Sequence, residues 1–302
     1  MEIIQIEKLK HRYLKFLIPS VKNEWIKRNT YIFNDSYRPV LPNQVNLFWT
    51  GTYKGKITEH ENLGDYLSLV IVHYLLADKG LQLDQRTKKT SYLYAIGSIV
   101  GFGYQDAVIW GSGLLNYKNV LRCLRQKLDI RAVRGPCTRK LLLRYGIKCP
   151  EIYGDPACLL PLYYRPKEKK KYQYSLILHH NSELRKDEHV KSFMENAGIH
   201  YIEILTTDYK FFVKEILASK YIISSALHGI ILAECYGIPT IFLQEKLNQD
   251  IKFKDWFFST KRYNYSYITH IEDASEICAN DLPEISSMQK AMLESFPYDL
   301  WS

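Results

Sequence analysis

The segment that most constrains the fold is residues 221–243, with the sequence YIISSALHGIILAECYGIPTIFL. It opens with a β-branched, apolar run that predicts a buried strand, and residues 240–243 predict a second strand. Between them, residues 229–236 predict an apolar helix. Gly237 and Pro239 end this helix, because glycine favours the position after a helix and proline cannot continue one. The segment therefore predicts a strand, helix, strand unit with parallel strands.

His228 lies in the predicted turn between the first strand and the helix, next to Gly229. Free backbone N–H groups and the positive end of the helix dipole favour a bound anion at such a turn. Spacing alone leaves two interpretations open. Either the histidine caps a structural helix, or it belongs to a ligand site at the end of the strand.

The chain has room for two domains, with 302 residues of which 46% are hydrophobic and 24% are charged. A charged run with a proline at residues 165–171 is typical of a linker. We therefore predict an α/β fold of two Rossmann-like lobes. The N-terminal lobe covers residues 1–165, the C-terminal lobe covers residues 172–280, and a helical segment covers residues 281–302.

The formal charge of +9 indicates attraction to an anionic partner. Basic residues are spread along the chain and no zinc-finger or RNP motif is present, so we do not expect nucleic acid binding. Residues 1–30 interleave apolar and basic side chains and predict an amphipathic helix. Such a helix either packs on the first lobe or lies on anionic lipid at the inner face of the membrane.

The six cysteines form no CxxC pair and lack the spacing of metal ligands. We therefore predict reduced thiols, no metal, no disulfide and no cofactor. The sequence also has neither an uncharged apolar span of 18 residues nor a signal-peptide start. From this we expect a soluble, cytoplasmic protein.

Glycines and polar residues follow the predicted strands of the first lobe, where the binding loops of an open α/β sheet lie. The strands are predicted at residues 46–49, 92–96, 107–110 and 130–133, and the residues that follow them are Asn62, Gly64, Asp65, Gly113 and Arg134. Asp65 suits the N-cap of the first helix. Asn62, Gly64 and Asp65 therefore either line the cleft or only cap the helix. An arginine can hold phosphate or carboxylate at two points, although a surface ion pair is the alternative for Arg134.

In the second lobe, a strand at residues 174–178 ends in two histidines, of which we favour His180 as a site residue. Residues 201–205 predict the next strand, and residues 209–219 predict an amphipathic helix. Asp155, at the end of the first lobe, and Lys254, after the histidine helix, are further candidates. The alternative for Lys254 is a solvated charge on a packed aromatic segment.

A series of short motifs resembles the polysaccharide pyruvyl transferase family over residues 46–262, in the branch that acts on exopolysaccharides and capsules. The motifs, as they stand in this sequence, are Asn62-x-Gly64-Asp65, Trp110-Gly-Ser-Gly113, Val133-Arg134-Gly-Pro136, Tyr153-Gly-Asp155-Pro-Ala157, Leu227-His228-Gly229, Tyr236-Gly-Ile-Pro239 and Lys254-Asp255. Each motif is unspecific, but their order and gaps agree together. The resemblance implies a fold similar to GT-B glycosyltransferases, with two lobes facing across a cleft.

The resemblance also implies the reaction, which is transfer of the enolpyruvyl group of phosphoenolpyruvate to a sugar of a bacterial surface polysaccharide, giving a pyruvate ketal. The N-terminal lobe would bind the acceptor, which could be linked to polyprenyl diphosphate, and the C-terminal lobe the donor. His228 and Asp65 are the implied catalytic residues, with His228 as general acid. The implied substrate-binding residues are Asn62, Gly64, Gly113, Arg134, Asp155, His180, Ser225, Gly229, Glu234 and Lys254.

One residue departs from the family pattern. Many members have an arginine two residues before the histidine, where this chain has Ala226. Another cation would then have to bind the phosphate of the donor, and Arg134 or Lys254 are the candidates. A glycosyltransferase that uses a nucleotide sugar, or a non-catalytic binding module, are the alternative functions, since a fold does not fix the chemistry.

Overall fold

The computed structural model describes residues 40–49, 61–101, 106–124, 127–245 and 250–302. The amphipathic helix predicted at residues 1–30 lies outside the described residues. Within the described ranges, no helix combines the length and the apolar character that crossing a bilayer requires.

The first sheet has four parallel strands in the order β1-β2-β3-β4. Their bounds are β1 Val45–Phe48, β2 Ser91–Tyr94, β3 Ala107–Trp110 and β4 Asp129–Ala132. All four residues of β3 are buried, as expected for a parallel strand covered on both faces. Each strand agrees with a predicted one to within two residues at either end.

The second sheet has five parallel strands in the order β6-β5-β7-β8-β9. Their bounds are β5 Tyr172–Ile177, β6 His200–Tyr201, β7 Ser219–Ser224, β8 Thr240–Leu243 and β9 Tyr267–Ile268. The chain passes from β5 to β6 on one side and then to β7 on the other. Strand order therefore reverses between β5 and β7. The strand predicted at 201–205 is shorter than expected, because the chain leaves the sheet to form an antiparallel bridge between Leu205 and Asn62.

Most helices of the described ranges lie between successive strands, and the last one follows β9. Their bounds are α1 Leu63–Ala77, α2 Val120–Cys123, α3 Pro136–Arg144, α4 Leu160–Tyr163, α5 Glu188–Ala197, α6 Tyr209–Leu217, α7 Leu227–Cys235, α8 Asp250–Ser259 and α9 Ser286–Glu294. The prediction that Asp65 is the N-cap of α1 is wrong. Asn62 is the N-cap, since its side-chain oxygen accepts a hydrogen bond from the backbone N–H of Gly64 at 2.9 Å.

The two sheets share one hydrophobic core around α1 and α7, which are apolar on nearly all sides and therefore buried. The C-terminal residues return to the first sheet. The indole N–H of Trp110 donates to the carbonyl of Met292 on α9 at 3.0 Å, and Arg131 pairs with Asp299 at 2.9 Å. The prediction of a mixed α/β fold is confirmed, with two parallel sheets. Two lobes that face each other across a cleft stay a prediction.

Candidate functional site

The reversal of strand order between β5 and β7 marks a place where α/β proteins bind ligands, at the carboxyl ends of the strands. His180 follows β5, and Ser225 and His228 follow β7. The residues after β1 in the first sheet come to the same place, because Asn62 bonds to His180 and Gly64 contacts His228. The site therefore combines residues that follow strands of both sheets.

The sequence had predicted His228 in the turn before α7. It is instead the second residue of α7, so it lies inside the helix. Its ring lies directly against Gly64, where an added Cβ would be 1.9 Å from Nδ1. Only glycine fits at position 64. The side chain of His228 is 12% exposed, and Nε2 lies 3.4 Å from Oδ2 of the fully buried Asp155.

His180 is held by the helix cap of α1. The amide nitrogen of Asn62 lies 2.7 Å from Nδ1 of His180, and an amide nitrogen can only donate, so the imidazole carries its proton on Nε2. Burial lowers the pKa of His180, and the positive charges of Lys252 and Arg185 lower it further. The ring is therefore a neutral N–H donor at neutral pH.

Arg134 is completely buried beside Gly113. Its guanidinium donates to Ser98 at 2.7 Å and to the carbonyl of Leu114 at 3.0 Å, and it pairs with Asp255 on α8 at 3.3 Å. Burial raises the pKa of Asp255, and the nearby guanidinium opposes this rise. Arg134 therefore connects the end of β4 to a helix that packs on the second sheet.

Lys252 on α8, which is 5% exposed, was not predicted from the sequence. Its pKa is lowered to about 8, first by burial and second by the charge of Arg134, while the charges of Asp65 and Glu245 oppose the change. No described residue forms a hydrogen bond or an ion pair with its amine. Lys252 precedes Asp255 by three residues and so shares its helix face, whereas the predicted Lys254 is half-buried one position to the side. The spacing to Asp255 was the signal that could have found it.

The remaining candidates have mostly internal partners. Asp65 lies against Gly97 at the end of β2. The hydroxyl of Ser225 accepts from the backbone N–H of His179 at 2.9 Å. Gly229 packs closely against the side chain of Ser224. None of these contacts identifies a substrate by itself.

Glu234 is a buried carboxylate with four donors. Its oxygens accept from Thr240 at 2.8 Å, from the indole of Trp256 at 2.6 Å, and from both terminal nitrogens of Arg262 at 2.8 and 2.7 Å. These bonds hold α8 and the chain after it against α7. Its assignment to the substrate stays a prediction that these contacts do not favour.

The arrangement can therefore offer three kinds of group to a ligand. Two buried cations, Lys252 and Arg134, favour an anion. A neutral imidazole N–H on His180 can donate a hydrogen bond. The imidazole of His228 at the start of α7, backed by a carboxylate, can transfer a proton.

Comparisons with known proteins find several that are similar to this chain. An uncharacterized protein of Acanthamoeba polyphaga mimivirus is 31% identical over 188 residues, which cover 59% of this chain and 64% of that protein, slightly less than two thirds of its length. An uncharacterized Klebsiella pneumoniae protein has a TM-score of 0.48 at 14% identity, over 81% of this chain and 98% of that one. A variant of the wall teichoic acid polymerase TagF has a TM-score of 0.37 at 11% identity, over 99% of this chain and 93% of that one.

The family model of the polysaccharide pyruvyl transferases matches residues 15–246, which is most of the chain. The match includes Leu227-His228-Gly229 at the start of α7 and the loops after the strands of the first sheet. It confirms the resemblance that the motifs had indicated. The chain belongs to the polysaccharide pyruvyl transferase family.

Proposed function

We propose that this protein transfers the enolpyruvyl group of phosphoenolpyruvate to a sugar of a surface polysaccharide, or of its lipid-linked precursor, and forms a pyruvate ketal. The reaction would take place between two lobes that face each other as in GT-B enzymes. The observation that carries the proposal is the combination of His228 with two buried cations at the carboxyl ends of both sheets.

The donor is a small dianion or trianion with a phosphate and a carboxylate, and it needs compensating charge in a buried site. Lys252 supplies a buried positive charge to which no described residue forms an ion pair. We propose that its amine binds the donor phosphate. It would replace the arginine that many family members carry where this chain has the buried Ala226.

Arg134 would act beside Lys252 in one of two ways. Its Nε is buried without a hydrogen-bond partner among the described residues, so one N–H remains for a ligand. Its other contacts hold Asp255, and through it α8, in position. The sequence predicted that Arg134 holds a phosphate or carboxylate group directly. The N–H at Nε is the group that would donate a hydrogen bond to the donor carboxylate.

The chemistry needs one proton donor and two proton acceptors. His228, as an imidazolium with a proton on each ring nitrogen, would protonate C3 of the donor, so that C2 becomes electron-poor. A sugar hydroxyl would then attack C2 and lose its proton. The bond from C2 to the phosphate oxygen then breaks and inorganic phosphate leaves. A second hydroxyl of the same sugar adds to C2, loses its proton and closes the ketal. Asp65 is proposed to accept a hydroxyl proton, and the N–H of His180 to stabilise developing negative charge.

The test incubates the protein with phosphoenolpyruvate or with UDP-sugars, together with a panel of hexosides that have two free hydroxyls. We expect release of inorganic phosphate and a ketal product, both abolished by His228→Ala and by Lys252→Met. Lys290→Met is the control, because Lys290 is 77% exposed on α9. Release of UDP from a UDP-sugar without phosphate release from phosphoenolpyruvate would instead establish a glycosyltransferase.

A further inference from the structure

We infer that Asp155 is the positioning residue of His228. It keeps a proton on Nε2 of the imidazole, so that Nδ1 is the nitrogen that exchanges a proton with a substrate. The first part concerns the resting protein alone, while the role of Nδ1 in a reaction rests on the proposed function.

The first observation is a pair of buried atoms without partners. Nε2 of His228 and Oδ2 of Asp155 are both buried, and neither has a hydrogen-bond partner among the described residues. They lie 3.4 Å apart. Buried polar atoms in proteins are nearly always paired, and a carboxylate can only accept. The proton between them therefore belongs to Nε2.

The second observation is that the carboxylate cannot turn away. Its other oxygen, Oδ1, caps the 3-10 helix Pro156–Leu159 by accepting from the backbone N–H of Ala157 at 3.1 Å. The side chain is fully buried. The cap and the burial thus hold Oδ2 in its place 3.4 Å from Nε2 of the imidazole.

The titratable groups around the pair do not compete for this role. Behind Asp155 lie the thiols of Cys158 and Cys235, and burial raises the pKa of both, with the charge of Asp155 adding to the rise. They therefore stay neutral. On the other side α1 presents the backbone of Gly64, followed in the chain by Asp65. The imidazole has its Nε2 at 3.4 Å from Oδ2.

The third observation concerns the opposite edge of the ring. The side chain of His228 keeps 12% exposure although Nε2 is buried, so the exposed part belongs to the other ring atoms. Nδ1 lies against Gly64, where an added Cβ would be 1.9 Å away. The absence of a side chain on Gly64 gives the imidazole room at this position. Of the two ring nitrogens, only Nε2 is buried without a hydrogen-bond partner among the described residues, so Nδ1 is the nitrogen left for a substrate.

The test reads the tautomer of His228 directly. Histidine is labelled with ¹⁵N, the protein is measured by NMR at alkaline pH, where imidazoles are neutral, and the His228 signals are assigned with His228→Gln. We expect a single tautomer with the proton on Nε2. A wild-type signal with the proton on Nδ1 would overturn the inference, whatever the variants do.

Asp155→Asn gives the sharpest comparison. The cap on Ala157 needs an acceptor, so the amide oxygen of the new side chain stays at the cap and its NH₂ group faces His228. Nε2 must then accept, and we expect the proton to move to Nδ1. Glu151→Gln is the matched control, because Glu151 is 71% exposed in the same loop and pairs with Arg139, so the tautomer should not change. An unchanged tautomer in a folded Asp155→Asn protein would contradict the inference.

Activity separates this inference from the proposed function. Asp155→Asn should lower phosphate release from phosphoenolpyruvate by roughly 10³-fold or more. The NH₂ group that faces Nε2 disfavours the imidazolium from which His228 donates, whereas the carboxylate of Asp155 favours it. Equal rates for Asp155→Asn and wild type would overturn the positioning role while leaving pyruvyl transfer in place. If wild type shows the Nε2 tautomer but never releases phosphate, the pairing stands and the proposed function fails.

Discussion

Replacing the buried lysine of the site should stabilise the protein and abolish its activity. The pKa of Lys252 is lowered from 10.5 to about 8 by burial first and by Arg134 second. A change of one in pKa corresponds to about 1.4 kcal/mol, so holding the charged amine costs the fold about 3 kcal/mol. Lys252→Met removes this charge and keeps a side chain of similar length. We expect its free energy of unfolding at pH 7 to exceed that of wild type by up to about 3 kcal/mol.

The sign of the pH dependence follows from proton binding. Between pH 8 and 10.5 the unfolded chain keeps the Lys252 proton longer than the folded protein does, so stability rises with pH. Below pH 8 the full penalty is present. The stability advantage of Lys252→Met should therefore shrink as pH rises from 8 toward 10.5. The advantage is the difference between two proteins, so the titration of tyrosines and other lysines cancels from it.

Urea denaturation at pH 7 and at a second pH near 9.5 measures this difference. Lys290→Met is the control, because it removes an equally charged but exposed lysine and should show neither the gain nor the pH dependence. The result that would refute the reasoning is a Lys252→Met protein no more stable than wild type at pH 7. A gain that does not change between the two pH values would refute it as well.

Three further predictions concern neighbouring residues. Arg134→Ala should lower the free energy of unfolding by roughly 3–5 kcal/mol, because it leaves the carboxylate of Asp255 buried without its cation, and a smaller loss in urea titration would show that the pair is dispensable. Glu234→Gln should cost roughly 2–3 kcal/mol and leave phosphate release per folded molecule unchanged; a selective loss of activity would instead support substrate binding. In Lys252→Met the pKa of His180, followed by NMR, should rise, because one of the charges that lower it is gone. An unchanged pKa would show that the charge of Lys252 does not act on His180.

Sequence patterns predicted the elements well where local chemistry decides them. The apolar run of β7, the helix α7 and the left-handed Gly237 behind it follow from the residues themselves. The strand predicted at 201–205 is shorter in the structure, because Leu205 pairs with Asn62, a residue far away in the chain. Local propensity contains no information on such a partner.

The residues of the candidate site also fall into those that local sequence predicts and those that depend on distant contacts. His228 and Asn62 were found because they stand in recognisable motifs at the starts of α7 and α1. Lys252 was missed because its spacing to Asp255 places both residues on one helix face but does not show that this face is buried. Its burial results from packing of α8 between the ends of both sheets, which only the tertiary structure shows.

The ion pair between Arg134 and Asp255 links the first sheet to the helix that carries Lys252. Asp255 and Lys252 lie three residues apart on one face of α8, and the carboxylate also accepts from the backbone N–H of Thr138 at 2.9 Å and from its hydroxyl at 2.6 Å. The first sheet therefore fixes the helix that presents the buried amine. An arginine that holds this helix and a lysine that binds the donor would fail together on mutation, although one acts through structure and the other through charge. Stability measurements distinguish them, because loss of Arg134 should destabilise the fold and loss of Lys252 should stabilise it.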